Sequence, residues 1–237
     1  MRSEPLGEFW HRGTELDGVR FTLYNSGHIP GSTQLLIENG ARILYTGDLC
    51  LKGGLITPPA DTPACDILII EATFGTPRYV FPDKRETIKE MRDWAEDCNA
   101  KGATPVFLGY ALGKAQEITK ALSGDLTVFV EESAYHFNRR TENLGIHLGR
   151  YELWDGHLPP EDCVLVAPPH KARLFRDELF TTAYVSGWAS GNGAPRFGAS
   201  AGFPLSDHSD FNGLIEFVER VSPQATYTVH GFAREFS

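Results

Sequence analysis

The residues best suited to chemistry in this chain each stand where a run that reads as a β-strand gives out. Asp48 follows the run 42–46 through one glycine, Glu71 closes the run 66–70, His230 closes 225–229, and His28 lies in the turn after 19–24. These runs are short, apolar or β-branched, and set off by glycine, proline or other turn formers, which is how strands are delimited in a sequence. In open sheets covered by helices, strand ends form a crevice where side chains from distant parts of a chain converge. Two imidazoles and two carboxylates meeting there would be the donor set for zinc or a similar divalent ion, and a bridging aspartate can hold two such ions close together. A plainer reading stands beside this one: a strand-end Asp is commonly a turn former, and a lone His is commonly a hydrogen-bonded surface group.

From residue 85 the periodicity changes. Ile88, Met91, Trp94 and Ala95 recur at three- and four-residue spacing up to a break at 99–102, the pattern of an amphipathic helix. A short buried strand at 105–108, a glycine loop, a helix at 114–122 and a strand at 126–130 then read as a β-α-β unit. The runs 163–167 and 183–186 add two short strands, and the Gly/Ser/Ala-rich stretch 187–202 reads as a mobile connection suited to a hinge between lobes. A helix at 211–221 and the strand 225–229 return to the style of the first part, and no internal repeat is visible.

With 237 residues, 41% of them apolar and 22% charged, the chain can bury a substantial core and is not a disordered polymer. Its 31 acidic against 22 basic side chains, a formal charge of -9, disfavour broad adhesion to a polyanion, so any nucleic-acid contact must be local. No apolar run approaches the ~20 residues needed to cross a bilayer. Residues 1–7 lack the basic-then-apolar opening of a secretory signal, so the expectation is a cytoplasmic protein with no membrane partner. Cys50, Cys65, Cys98 and Cys163 form no C-x-x-C pair and read as reduced, structural thiols.

Two loops add further candidates. His208 lies in Ser206-Asp207-His208-Ser209-Asp210, just ahead of the helix that begins near Phe211, with Ser209 or Asp210 as its N-cap. Backbone N–H groups at such a helix start favour an anion such as phosphate. A nearby carboxylate favours the protonated imidazole, which makes His208 a candidate acid for a leaving oxygen; the competing reading is a capping loop and nothing more. The run from Gly109 to Gln116 joins a strand to a helix and offers glycines, outward N–H groups and Lys114 as a phosphate cradle. It is not a P-loop, because Gly109 and Gly113 are too close together and Ala115 stands where Ser or Thr is needed. A helix start that simply needs glycine explains it as well.

Taken together, these segments resemble the β-CASP branch of the metallo-β-lactamase superfamily, nucleases acting on DNA or RNA, over nearly the whole chain. Ser26-Gly27-His28-Ile29-Pro30-Gly31-Ser32 is similar to the third metal motif and Thr46-Gly47-Asp48 to the fourth. Glu71-Ala72-Thr73-Phe74-Gly75 is similar to motif A, Ser206 to Asp210 to motif B, and Val229-His230-Gly231 to motif C, all five in the family's order. Within the branch, the run 109–116 and Ser186-Gly187-Trp188 look closest to the ligase-associated exonucleases and the archaeal RNA 3'-end-processing relatives.

The resemblance implies an α/β fold. A partial metallo-β-lactamase αββα sandwich would span residues 1–76, an inserted β-CASP lobe 77–196, and a return to the first layer 197–237, with nucleic acid held between the lobes. It implies that His28 binds one zinc, Asp48 bridges two, and His230 binds the second. His208 would contact the scissile phosphate and be oriented by Glu71, and Gly109, Gly113, Lys114 and Ser206 would take phosphate or nucleic acid. The family's H-x-H-x-D-H motif, which supplies most of the zinc ligands, is absent: no two of the eight histidines are separated by one residue. The expectation is therefore a chain lacking both ends of the family fold and weak or inactive by itself. The alternatives are a noncatalytic nucleic-acid-binding scaffold and a small-ester hydrolase on the same fold. A homodimer is allowed.

Overall fold

The computed structural model describes residues 13–190 and 198–237. In chain order these form β1 (Gly13–Leu16), β2 (Val19–Asn25), β3 (Thr33–Glu38), β4 (Arg42–Tyr45), β5 (Ile67–Glu71), α1 (Lys84–Ala100), β6 (Thr104–Leu108), α2 (Lys114–Leu122), β7 (Thr127–Val130), α3 (Glu132–Asn143), β8 (Tyr151–Leu153), β9 (Cys163–Ala167), β10 (Phe180–Val185), β11 (Ala201–Phe203), α4 (Phe211–Val221), β12 (Ala225–Val229) and α5 (Ala233–Phe236). The chain divides into two compact units, one built from the described residues up to Val80 together with Asp207–Ser237, the other from Phe81–Ser206. The fold is mixed α/β.

The first unit holds one six-stranded sheet in the order β1-β2-β3-β4-β5-β12. Strands β1 to β4 are antiparallel neighbours, whereas β4, β5 and β12 run parallel. Alternation along the strands decides what is buried: Leu36, Leu44, Leu68 and Ile70 point to one face and pack against Leu214, Phe217 and Val221 of α4. Asp210 caps α4 by accepting from the Gly213 N–H at 2.8 Å, and Ser222, in left-handed conformation at φ 48°, ends it. On the other face, Leu35, Ile37, Ile43, Ile67 and Ile69 are only half-buried among the described residues. The described part of this unit is thus one sheet with a helix on one side of it.

The second unit holds a six-stranded sheet in the order β11-β10-β6-β9-β7-β8, parallel throughout. Its central strands β6 and β9 are buried along their whole length, as expected where a parallel sheet is covered on both faces. Phe107, Val164, Val166 and Val185 join one cluster with Met91 of α1 and Ile118 of α2, while Val106, Leu108, Leu165 and Tyr184 join another around Phe175. All four cysteines are buried and unpaired as disulfides. Burial pushes the Cys98 and Cys163 thiols up to about 11, so they stay protonated and unreactive.

Several boundaries differ from those read in the sequence. The expected return to the first layer at residue 197 begins instead at Asp207, because β11 pairs with β10 and belongs to the second sheet. The stretch 187–202 is accordingly not one long connection: its start forms a 3-10 turn, Gly187–Ala189, and its end enters β11. Residues 191–197, the middle of the expected hinge, lie outside the described residues. Strands β1 and β8 and helices α3 and α5 had no expectation. Strands β1 and β8 and helix α5 are short and α3 is largely polar, so none has much apolar periodicity to betray it.

Helix α3 shows how a polar group carries an element that periodicity does not. Glu131 caps it, accepting from the Ser133 N–H at 2.9 Å and pairing with Lys171 at 3.1 Å. Burial alone would raise the Glu131 carboxyl, but the bonds from Ser133 and Lys171 outweigh it and hold the carboxyl below its ordinary value. A depressed folded-state value means stability that is present above the unfolded glutamate range and lost as acid takes the pH down through the folded value. Glu131→Ala is therefore expected to cost about 1 kcal/mol near neutrality. The gap to the parent chain should close in acid, as read by urea unfolding at about pH 7 and about pH 3; a gap independent of pH would contradict the assignment.

Candidate metal and phosphate site

The parallel run β4-β5-β12 brings three candidate residues to one end of one sheet. Glu71 is the last residue of β5, Val229 of β12 lies directly beside it in register, and β4 flanks its other side. Asp48 leaves the end of β4 and His230 the end of β12, so they stand on either side of the strand that carries Glu71.

His28 reaches the same place through its loop. Gly27 takes φ 74°, a left-handed conformation, and a Cβ there would lie 2.2 Å from the Cys50 carbonyl oxygen, so only glycine fits. The close approach comes from a bridge between the two loops, in which the Cys50 N–H donates to the Ser26 carbonyl at 2.9 Å and Gly27 faces Leu49. Ser32 closes the turn, its hydroxyl donating to the Ile29 carbonyl at 2.8 Å. His28 Nε2 then lies 3.6 Å from Asp48 Oδ2.

His208 is tied to the same loop by backbone and side chain together. The Ser209 N–H donates to the Leu49 carbonyl at 2.7 Å, and the Ser209 hydroxyl accepts from the Leu51 N–H at 2.8 Å. Glu71 supplies the third tie. Its Oε1 accepts from the Leu49 N–H at 3.0 Å and from His208 Nδ1 at 2.9 Å, while its Oε2 accepts from the Thr73 N–H at 2.8 Å. The carboxylate is 1% exposed, so these three donors replace the water it has lost. Leu49 is the node: its N–H goes to motif A and its carbonyl to motif B, which fixes Asp48 one residue before it.

The two imidazoles are anchored alike. His28 Nδ1 meets the Asp207 carbonyl oxygen at 2.9 Å and His208 Nδ1 meets the Glu71 carboxylate. An oxygen can only accept, so Nδ1 carries the proton in each ring and Nε2 is the nitrogen that can take a metal or, when protonated, serve a phosphate oxygen. The ring centroids are 4.5 Å apart, tilted by 54°. Donor atoms of His28, Asp207 and His208 all lie within 4.8 Å of one another, a partial metal-ligand cluster. Oxygen-anchored imidazoles beside carboxylates are the arrangement in which zinc ligands are usually found, so the donor chemistry fits the metal.

Within that cluster the two histidines are not equivalent. Burial pulls the His208 imidazole down, but the Glu71 bond and charge, with Asp207 and Asp48 behind them, outweigh it and raise the pKa above the ordinary histidine value. Glu71 shows the complement: burial pushes its carboxyl up, and the bonds from His208 and Thr73 bring it below its ordinary range. The pair therefore favours imidazolium with carboxylate, which suits His208 to a phosphate oxygen better than to a metal ion. His28 faces Asp48 and suits a metal.

The remaining expected residues have other settings. His230 is exposed, takes φ 61° in the left-handed region, and lies outside the three-donor cluster. Gly231 follows it at φ 48°, and a Cβ there would lie 2.3 Å from the Ala72 carbonyl oxygen, so the turn passes against motif A. Lys114 was expected to present its charge to phosphate. It is instead 1% exposed and bonded to Glu117 at 2.8 Å, with Lys84 also on Glu117 at 3.3 Å, because a buried ammonium must have a counter-ion. A Cβ on Gly109 would lie 2.6 Å from Ile118, so that glycine serves packing, and the Gly113 N–H is taken by the Gln116 side chain at 2.7 Å. Ser206 is buried. Asp207 was not among the expected donors. Its only sequence signal is its place beside His208, where a capping Asp looks the same.

Known proteins bear on this geometry. Residues 202–237 match the family described as Zn-dependent metallo-hydrolase RNA specificity domain. Over 228 residues the chain is 38% identical to a protein of Opitutus terrae named "Probable DNA ligase", covering 91% of this chain and 22% of that protein. Over 270 residues it is 24% identical to an "RNase J-like protein" of Methanocaldococcus jannaschii, covering 91% of this chain and 64% of the relative. The chain belongs to the β-CASP, metallo-β-lactamase-fold nuclease family. It thus spans less than two thirds of the length of either relative. In fold it is similar to a crystal structure of a protein of unknown function from Enterococcus faecalis, with a TM-score of 0.62, 15% identity, and coverage of 96% of this chain and 62% of that one. Among the described residues, no helix of this β-CASP protein is long and apolar enough to cross a membrane.

Proposed function

We propose that this β-CASP chain carries the phosphate-handling half of a metal-dependent phosphodiesterase, a nuclease that trims the ends of DNA or RNA. The observation that carries the reading is the anchoring of His208 on buried Glu71, with Asp48, Asp207 and His28 around it. In this reading His28, Asp48, Asp207 and His230 are the residues that would hold zinc, two ions in the complete enzyme. When bound, the metal supplies Lewis-acid stabilisation of charge developing on the phosphoryl oxygens.

The chain's own groups do the rest. His208 presents an Nε2 proton to the phosphate and passes it to the leaving oxygen. Glu71 keeps the ring in the tautomer and orientation that this requires. Asp48 takes the central place because its loop is the one that both motif A and motif B hold. The similarity to a protein named as a DNA ligase spans nearly all of this chain, which makes broken DNA ends the first substrate to try, with RNA ends beside them. We place the protein in the cytoplasm.

The test is hydrolysis of end-labelled single strands of DNA and RNA with zinc or manganese added. Slow cleavage is expected from the chain alone, abolished by a chelator, and faster cleavage when a segment bearing H-x-H-x-D-H is supplied. Cleavage that survives chelation would sink the metal reading. Tight strand binding with no cleavage under any of these conditions would favour the scaffold alternative.

A further inference from the structure

At the end of the first unit that carries His208, one cation, Arg78, is held by two aromatic rings. Many lysines and arginines sit against a carboxylate, as in Arg42 with Glu38, Lys89 with Asp93, Arg92 with Asp125 and Arg220 with Glu216. Arg78 is exposed and has no carboxylate partner among the described residues. Its guanidinium carbon lies 4.8 Å from the centroid of Tyr79 and 4.7 Å from that of Phe232, and the two rings are 5.6 Å apart. These three lengths make a nearly even triangle. The guanidinium therefore rests across the junction of two rings that form a platform, both inside the range of cation–π attraction.

The platform is fixed from below. The Phe232 N–H donates to the Ala72 carbonyl at 2.7 Å, and the Tyr79 carbonyl accepts from the Phe211 N–H at 3.0 Å. Phe74, buried, packs edge-on against Tyr79 at 5.0 Å and edge-on against His208 at 5.9 Å. One ring thus separates the platform from the imidazole, and Phe232 is two residues past His230. Arg78 lies within a few nucleotides' length of the reacting end of the sheet.

A stacked guanidinium gives its faces to the rings and keeps its N–H donors at its edge, where their fork matches a phosphate. Stacking also settles the orientation of a long side chain before any ligand arrives, which removes part of the ordering cost. In a chain of charge -9, an unneutralised and pre-oriented cation beside the site is where a polyanion gains most. We propose that Arg78 is a substrate-positioning residue that binds a backbone phosphate of the single strand, displaced along the strand from the phosphate at His208. The proposal rests on the nucleic-acid reading above and extends it to a second contact.

The probes are short fluorescein-labelled oligothymidylate and oligouridylate, bound by the whole chain in metal-free buffer over a series of salt concentrations. Arg78→Met keeps the apolar stem on the rings without the charge, and Arg78→Lys keeps the charge without the fork. Arg78→Met is expected to weaken binding about tenfold and to lower the salt slope by about 0.7, the share of one phosphate on a single strand. Arg78→Lys should fall between it and the parent chain. With a methylphosphonate strand, whose backbone is neutral, parent and Arg78→Met should bind alike. Equal binding of the charged strands by parent and Arg78→Met would overturn the proposal while leaving the nuclease reading in place, and so would an Arg78→Met deficit that persists on the neutral strand. A parent chain that neither binds nor cleaves either strand would overturn both.

Discussion

Glu71→Ala should unfold this protein more readily than any other single change at the site, by about 3–5 kcal/mol. The carboxylate is 1% exposed and receives three donors: the N–H groups of Leu49 and Thr73, and His208 Nδ1. Truncation leaves all three facing a void, and each buried donor without a partner costs roughly 1–3 kcal/mol. The loss is also one of position, because the same oxygen that holds His208 holds Leu49, the residue after Asp48. The variant should lose the downfield Nδ1–H resonance of His208 together with its stability. Glu71→Gln should do less damage, since the amide keeps the shape and one acceptor, yet its NH2 group must face a donor. Urea unfolding and proton NMR read the two effects; an alanine variant within ~0.5 kcal/mol of the parent would show that the three bonds are not what holds the loops together.

Asp48→Ala is expected to have the opposite profile. Its side chain is 52% exposed and meets His28 Nε2 at 3.6 Å, so stability should stay within ~0.5 kcal/mol. Hydrolysis, measured with the H-x-H-x-D-H segment supplied, should fall by at least about a hundredfold on the proposed reading of Asp48 as a metal ligand. Zinc affinity, measured by competition with a chromophoric chelator, should fall with it. Activity that persists in Asp48→Ala would remove this loop from the chemistry. The contrast with Glu71 is the useful result: one carboxylate is buried and holds the architecture, the other is open and free to be a ligand.

How much of this was legible depended on the kind of signal. The strands β2 to β5, β6, β9 and β12 and the helices α1, α2 and α4 stand out because alternation or three- and four-residue spacing is a direct record of which side chains face a core. Helix α3, with only Ala134, Asn138 and Thr141 buried, leaves no such record. Lys114 misleads for a related reason. A lysine after a glycine loop looks like a charge offered to solvent, and nothing local announces that Glu117, one helical turn on, is buried beside it. Asp207 is the converse case, a residue whose letter suits a cap and whose neighbours in space suit a metal.

By itself the sequence determines the order of the elements, the short strands that lead to Asp48, Glu71 and His230, and the glycines that let the loops turn. These are local matters, written in periodicity and backbone preference. Only the tertiary structure decides which of those ends share a sheet edge, that Leu49 joins motif A to motif B, that both imidazoles are anchored through Nδ1, and that Lys114 is spent on an internal ion pair. The physical reason is that hydrogen bonds and ion pairs between loops depend on register and strand order, and so on residues as far apart as Glu71 and His208, whose pairing no local pattern encodes.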